Sequence, residues 1–343
     1  MKSNNIFTIQ KLAGQIRHWM QRVLIVGLQY GLLAVAAIAA TAADKQLAVD
    51  SHDESRVHYR TVKIDGLDIF YREAGDPSKP TILLLHGFPT SSFMFRDLIP
   101  KLSGDFHLIA PDYPGFGQSS MPKTSEFSYT FENLTDLIDK FTVAVGASKY
   151  SLYVQDYGSP IGLRLAVKHP ERVQSLVIQN GNAYESGLSD AAGFLKTYGE
   201  TRDPKITEQL LGFLKLDTTK FQYLQGAHDP GRISPDTWTH DQALLDRPGN
   251  SDIQIALFAD YSSNVRSYPA WHEYFRKHQP PTLVVWGKND PFFLVRGVEE
   301  GYKKDLTNIE VHYFDGGHFV LEEYSSEIAQ IIGTFEKKVV QAK

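Results

Sequence analysis

Short apolar runs bounded by turn residues recur along this chain, with helically spaced apolar positions between them. Residues 81–85, 106–110, 150–155, 173–178, 282–286 and 309–313 are each five or six residues long and largely apolar. That length and continuity are expected of strands covered on both faces of a parallel sheet. Between them, Leu134, Leu137, Ile138, Phe141 and Val145 recur at helical spacing, as do Ile328, Ile331, Ile332 and Phe335 in a terminal helix over 325–338. Ahead of this, residues 58–73 predict two strands turning at Asp65-Gly66, a pair that tolerates the positive φ angles of a tight hairpin. Strand and helix alternate from 81 to 178, the signature of βαβ units.

The rhythm breaks at about residue 183. Up to residue 278 the pieces are helix-like and rich in aromatic residues, among them Tyr198, Tyr223, Trp238, Tyr261, Tyr268 and Trp271. Pro280-Pro281 closes the block, and strand–helix alternation resumes. The expected class is therefore α/β, a mostly parallel central sheet flanked by helices, with a core over 58–182 and 280–343. A helical cap over 183–279 is inserted between the two parts.

The N-terminus departs from this pattern. Lys2, Lys11, Arg17 and Arg22 precede an apolar run over 23–40, Ala40-Thr41-Ala42 offers a small-x-small cleavage site, and no acidic residue occurs before Asp44. Residues 1–42 thus read as a secretory signal peptide followed by a flexible lead-in over 43–57, with a periplasmic or secreted location. The alternative is an uncleaved anchor, since the run approaches the ~20 residues that span a bilayer. Cleavage would remove four positive charges and no negative ones, taking the net charge from −5 to −9. So acidic a surface argues against nucleic acid as a partner and against stable association with anionic membranes. The absence of cysteine excludes disulfides, thiolate metal sites and a thiol nucleophile.

Parallel sheets gather their chemistry at the carboxyl ends of the strands. There stand His86-Gly87-Phe88 after one run, Asp156-Tyr157-Gly158 after another, Asp290 shortly after Trp286, and His318 after Tyr313. Asp156 lies where a strand turns sharply into a helix-like segment, the corner at which a nucleophile is exposed. No GxSxG occurs, because Ser159 in GSPIG is displaced by one position. The histidines show no HExxH spacing, so no metal is expected. Gly115-Phe116-Gly117 lacks the third glycine and the downstream acid of a dinucleotide site. No cofactor is implied. Read blandly, Asp156 is a helix N-cap, Asp290 before Pro291 a turn residue and each cap tyrosine a packing residue. Four chemically apt residues at strand ends weigh against that reading for the first two.

From about Thr61 onward the chain resembles the α/β-hydrolases with an aspartate nucleophile, the epoxide hydrolases and haloalkane dehalogenases. The residues that carry the likeness are HGFPTSS (86–92), APDYPGFGQS (110–119), VQDYGSPIG (154–162), HPERV (169–173), WGKNDPF (286–292) and GGHFVLEE (316–323). The resemblance implies an α/β-hydrolase fold with Asp156 as nucleophile, His318 as base and Asp290 as its orienting acid. It also implies an oxyanion hole from the backbone N–H groups of Phe88 and Tyr157. Dehalogenases of this kind carry halide donors where this chain has Tyr157 and Phe88, leaving Trp238 as the spare indole. A fluoroacetate-type enzyme would want an arginine soon after the nucleophile, and none follows Asp156. Epoxide hydrolases use cap tyrosines as proton donors, and Tyr261 and Tyr198 are the candidates, with Tyr223 and Tyr268 behind them. Val154, where epoxide hydrolases usually have glycine, leans the other way. The expectation is hydrolysis of a small apolar epoxide. The alternatives are haloalkane dehalogenation, ester or lactone hydrolysis, and a noncatalytic binding relative that keeps the pocket.

Overall fold

The structure, a computed structural model, describes residues 56–342; the expected leader and nearly all of the lead-in lie outside this range. Eight strands form one sheet in the order β1-β2-β4-β3-β5-β6-β7-β8. These are β1 His58–Ile64, β2 Leu67–Ala74, β3 Thr81–Leu85, β4 His107–Pro111, β5 Tyr150–Gln155, β6 Val173–Gln179, β7 Thr282–Gly287 and β8 Ile309–Phe314. β1 and β2 pair antiparallel and β2 pairs antiparallel with β4, while all pairings from β4 to β8 are parallel. The hairpin turns at Asp65 (φ 49°) and Gly66 (φ 86°), both left-handed as a two-residue turn requires.

Every residue of β5 is buried, because helices cover both faces of the sheet. Tyr150, Leu152 and Val154 pack on one face against helix α1 (Phe131–Ala144) and helix α2 (Gly158–Lys168). Tyr153 points to the other face with Val177, Leu283 and Val285, under the terminal helix. The period of two in the strand is thus used on both sides at once.

Five helices lie between β6 and β7: α3 (Asp190–Thr201), α4 (Pro204–Phe213), α5 (Leu216–Leu224), α6 (Asp236–Leu245) and α7 (Asn250–His278). The terminal helix α8 (Leu321–Gln341) is longer than the periodicity indicated. Among the described residues no helix is long and apolar enough to cross a membrane.

α7 is fastened to the sheet's own helices by buried and half-buried polar contacts. Phe131 N–H, at the start of α1, donates to Asp260 Oδ2 at 2.8 Å. Arg164 of α2, buried, donates to Asn264 Oδ1 at 2.7 Å and to Ser263 Oγ at 3.0 Å. Hydrogen bonds to charged groups of this kind are worth about 1.5–3 kcal/mol each. Tyr261 lies between these anchored residues in sequence, so its position over the sheet follows from them.

Candidate functional site

β5 ends mid-sheet, and the chain reverses at once into α2. Asp156 occupies the corner with φ 48°, a left-handed conformation that a non-glycine residue adopts only when its surroundings impose it. The sequence permits the turn through Gly158, where a Cβ would overlap the Leu85 carbonyl oxygen at the end of β3. Gly87 is required for the same reason, since a Cβ there would meet Asp156 itself.

The Asp156 carboxylate is caught between two backbones. Phe88 N–H donates to its Oδ1 at 2.7 Å, and Tyr157 N–H also bonds the carboxylate. Burial pushes the Asp156 pKa up, opposed by the nearby His318 and by these two N–H groups. His318 lies after β8, with Nε2 3.9 Å from Asp156 Oδ2 and Nδ1 2.8 Å from Asp290 Oδ2. Burial alone would lower the His318 pKa, but the Asp290 carboxylate, helped by Asp156, raises it overall.

Asp290 is anchored in its turn. Its Oδ1 accepts from Phe292 N–H at 2.8 Å and Phe293 N–H at 3.1 Å, and its Oδ2 also accepts from Asn180 Nδ2 at 2.8 Å. Asn180, at the end of β6, spans the gap by accepting from Gly287 N–H at 2.9 Å. It has no charge to contribute, and its role is to hold Asp290 against β7.

Gln155 was not anticipated. Its side chain is fully buried, and its Nε2 lies 3.0 Å from His318 Nε2. With Nδ1–H directed at Asp290, Nε2 is the acceptor and Gln155 the donor, a tautomer fixed by the network. A polar residue at the last position of an otherwise apolar strand, next to Asp156, was the available signal. His86, stacked on Tyr113 with ring centroids 4.2 Å apart, is buried and its pKa falls to about 4, so it stays neutral. Tyr113 hydroxyl donates to the His86 carbonyl oxygen at 3.0 Å, and this pair braces the loop that carries Phe88.

Above the carboxylate is a cavity of about 50 Å³. The sheet side contributes Phe88, Asp156, Tyr157, Phe292, Phe293 and His318, and the cap contributes Leu195, Phe213, Gln222, Phe258 and Tyr261. At about 10–15 Å³ per water it holds only a few waters. No lysine or arginine lines it.

Of the expected cap donors, Tyr261 is in this lining, and its hydroxyl makes no hydrogen bond among the described residues. Its pKa is driven far up, first by burial and then by Tyr268 and Asp156, so it is a persistent donor. Tyr198 is not brought there: its hydroxyl accepts from Thr207 Oγ1 at 3.0 Å, where α3 meets α4. Tyr268 hydroxyl accepts from Asn182 Nδ2 at 3.0 Å, and Tyr223 stacks on Phe319 at 4.0 Å with its hydroxyl on Asp241. Trp238 packs 6.4 Å from Tyr223 and lies outside the lining. Gln222, also unanticipated, is in the lining instead.

Comparison with known proteins agrees with this architecture. Residues 80–324 match the family model described as alpha/beta hydrolase fold. An uncharacterized hydrolase from Saccharomyces cerevisiae is 46% identical over 272 residues, covering 78% of this chain and 93% of the yeast protein. Epoxide hydrolase 3 of Mus musculus is 26% identical over 303 residues, 82% of this chain and 77% of the mouse protein. Among solved structures, a haloalkane dehalogenase from Bradyrhizobium elkani superposes with a TM-score of 0.70 at 23% identity, covering 84% of this chain and all of that one, a likeness of fold.

Proposed function

Because the chain belongs to the α/β-hydrolase fold family and is a hydrolase, we propose that it opens small epoxides through an ester on Asp156. The observation that carries this reading is the pairing of an N–H-held carboxylate with the unengaged Tyr261 hydroxyl in the lining of one small cavity.

Asp156 Oδ2, the oxygen not held by Phe88, attacks a ring carbon, the carbon–oxygen bond breaks, and Tyr261 gives its proton to the ring oxygen. His318 Nε2 then takes a proton from water, and the hydroxide adds to the Asp156 carboxyl carbon. The oxyanion forms at Oδ1, which the Phe88 N–H already holds, beside the Tyr157 N–H on the same carboxylate. Collapse expels the diol oxygen, which takes its proton from the His318 imidazolium. The proton left on the Asp156 carboxyl restores the Tyr261 phenol. Asp290 holds the tautomer that leaves Nε2 free to accept, and Gln155 marks that lone pair in the resting state.

A second reading, dehalogenation through the same ester, is favoured by one feature. The buried Tyr157 hydroxyl has no partner among the described residues, and a phenol can donate to a departing halide. The absence of lysine and arginine from the lining supports neutral substrates in either case. Export to the periplasm or beyond is proposed from residues 1–42 alone, and N-terminal sequencing of the mature protein tests it.

The deciding experiment supplies epoxides, haloalkanes, esters and lactones separately to the wild type, to Asp156→Asn and to His318→Gln. Epoxides should be turned over by the wild type alone, and His318→Gln should accumulate an alkyl adduct on the Asp156 peptide by mass spectrometry. Steady turnover by freshly prepared Asp156→Asn, with deamidation excluded, would falsify the mechanism.

A further inference from the structure

The cap presents a buried amide to the cavity that the reaction above does not use. Gln222 is 4% exposed, lines the cavity, and its Nε2 has no hydrogen-bond partner. Burying an amide donor without a partner is costly, and such groups in native proteins are nearly always answered by protein, water or ligand.

Its neighbours place it. Phe221 lies 6.3 Å from Phe292 and Tyr223 stacks on Phe319, and Phe292 and Phe319 flank His318 at 5.4 and 5.1 Å. Gln222 therefore enters from the histidine wall. Tyr261 enters beside Phe131, whose ring also packs on Tyr157, the residue after Asp156. Tyr261 and Gln222 line the same small cavity, so a molecule that fills it meets both groups.

We propose that Gln222 is a specificity-determining residue: its amide binds a second, neutral oxygen on the substrate, an ether or hydroxyl next to the reacting ring. An apolar substrate displaces water from the cavity and leaves the amide unanswered, whereas an oxygen-bearing one satisfies it. Sites built to hydrogen-bond a substrate group reject analogues lacking it more strongly than apolar pockets reject extra atoms. The preferred epoxides are then oxygenated ones, such as glycidyl ethers, rather than plain alkyl epoxides. This rests on the epoxide reading for its chemistry but not for its binding geometry.

The test uses two isosteric pairs on the full chain. Ethyl glycidyl ether and 1,2-epoxyhexane differ by one oxygen for one methylene, as do the unreactive diethyl ether and n-pentane. In Gln222→Met, which keeps the shape and removes the amide, the ratio of kcat/KM for ether over alkyl epoxide should fall at least tenfold. The ratio of ether to pentane affinity should fall in parallel, and the Tm should hold or rise because an unanswered polar group has been removed. A residue that merely packs would leave both ratios unchanged. Unchanged ratios, or a Tm loss with both members of each pair weakened equally, overturn the assignment. If neither epoxide is turned over, the epoxide reading fails, and the affinity ratio of the unreactive pair still decides the role of Gln222.

Discussion

The two walls of the cavity are built on opposite terms. On the sheet side the ionisable groups of the site are each answered: Asp156 Oδ1 by Phe88 N–H, His318 by Asp290 and Gln155, Asp290 by Asn180 and two backbone N–H groups. On the cap side the polar groups that reach the cavity, the Tyr261 hydroxyl and the Gln222 amide, have no protein partner among the described residues. The sheet wall is preorganised for charge that moves during reaction, where fixed dipoles act without rearrangement. The cap wall carries capacity that only a bound molecule can use. Stability is therefore invested at one wall and recognition at the other.

That contrast breaks most visibly at Asp290. Asp290→Asn keeps the shape but loses the charge that holds the His318 tautomer, and turnover of an epoxide should fall ~10³–10⁴-fold, by analogy with an orienting acid in a serine triad. Pre-steady-state measurement should locate the loss in ester hydrolysis, with the alkyl ester accumulating. Loss confined to ester formation would contradict the assigned role.

Tyr261→Phe probes the other wall. Removing a positioned proton donor should lower the rate of ester formation ~10²-fold. The Tm should barely move, because no protein hydrogen bond is lost. A fall of several degrees would mean that the hydroxyl belongs to the scaffold and that the walls are less distinct than described.

The smallest effect is the shape of the pH profile. Hydrolysis needs neutral His318, whose pKa is raised, so kcat should decline as pH drops, with its inflection above 6.5. Asp290→Asn removes the charge that raises it and should shift the residual activity's inflection downward. Tyr261, with its pKa pushed far up, should impose no alkaline decline below pH 10. Asp156 is esterified during that step and does not titrate, so the inflection reports His318 beside Asp290.

The same contrast explains what could be read from the letters. Strand runs such as Thr81–Leu85 and the elbow at Asp156-Tyr157-Gly158 are local: a few residues fix both the pattern and its geometry. Asp290 and His318 were legible because each follows a strand closely. The cap was readable as helical but not in its inward faces. Which aromatic points inward depends on how five helices pack, and Tyr198, at a plausible distance along the chain, faces α4 instead. Gln222 lies between Phe221 and Tyr223, and only the fold distinguishes the exposed Phe221 from the buried Gln222 beside it. Gln155 gave a weak sign, a polar residue ending a buried strand, without revealing that it faces His318.

The hold of Phe88 on a single oxygen of Asp156 has a consequence for the enzyme's history. Its two carboxylate oxygens are distinguishable, Oδ1 pinned by a backbone N–H and Oδ2 facing the imidazole. On the proposed mechanism each diol leaves with the oxygen that attacked, and the water oxygen stays behind in the side chain. Every product molecule thus carries an atom that belonged to the protein, and the aspartate keeps a record of the water it last consumed. The elbow behaves as a relay that exchanges one of its own atoms at each cycle while its geometry stays the same.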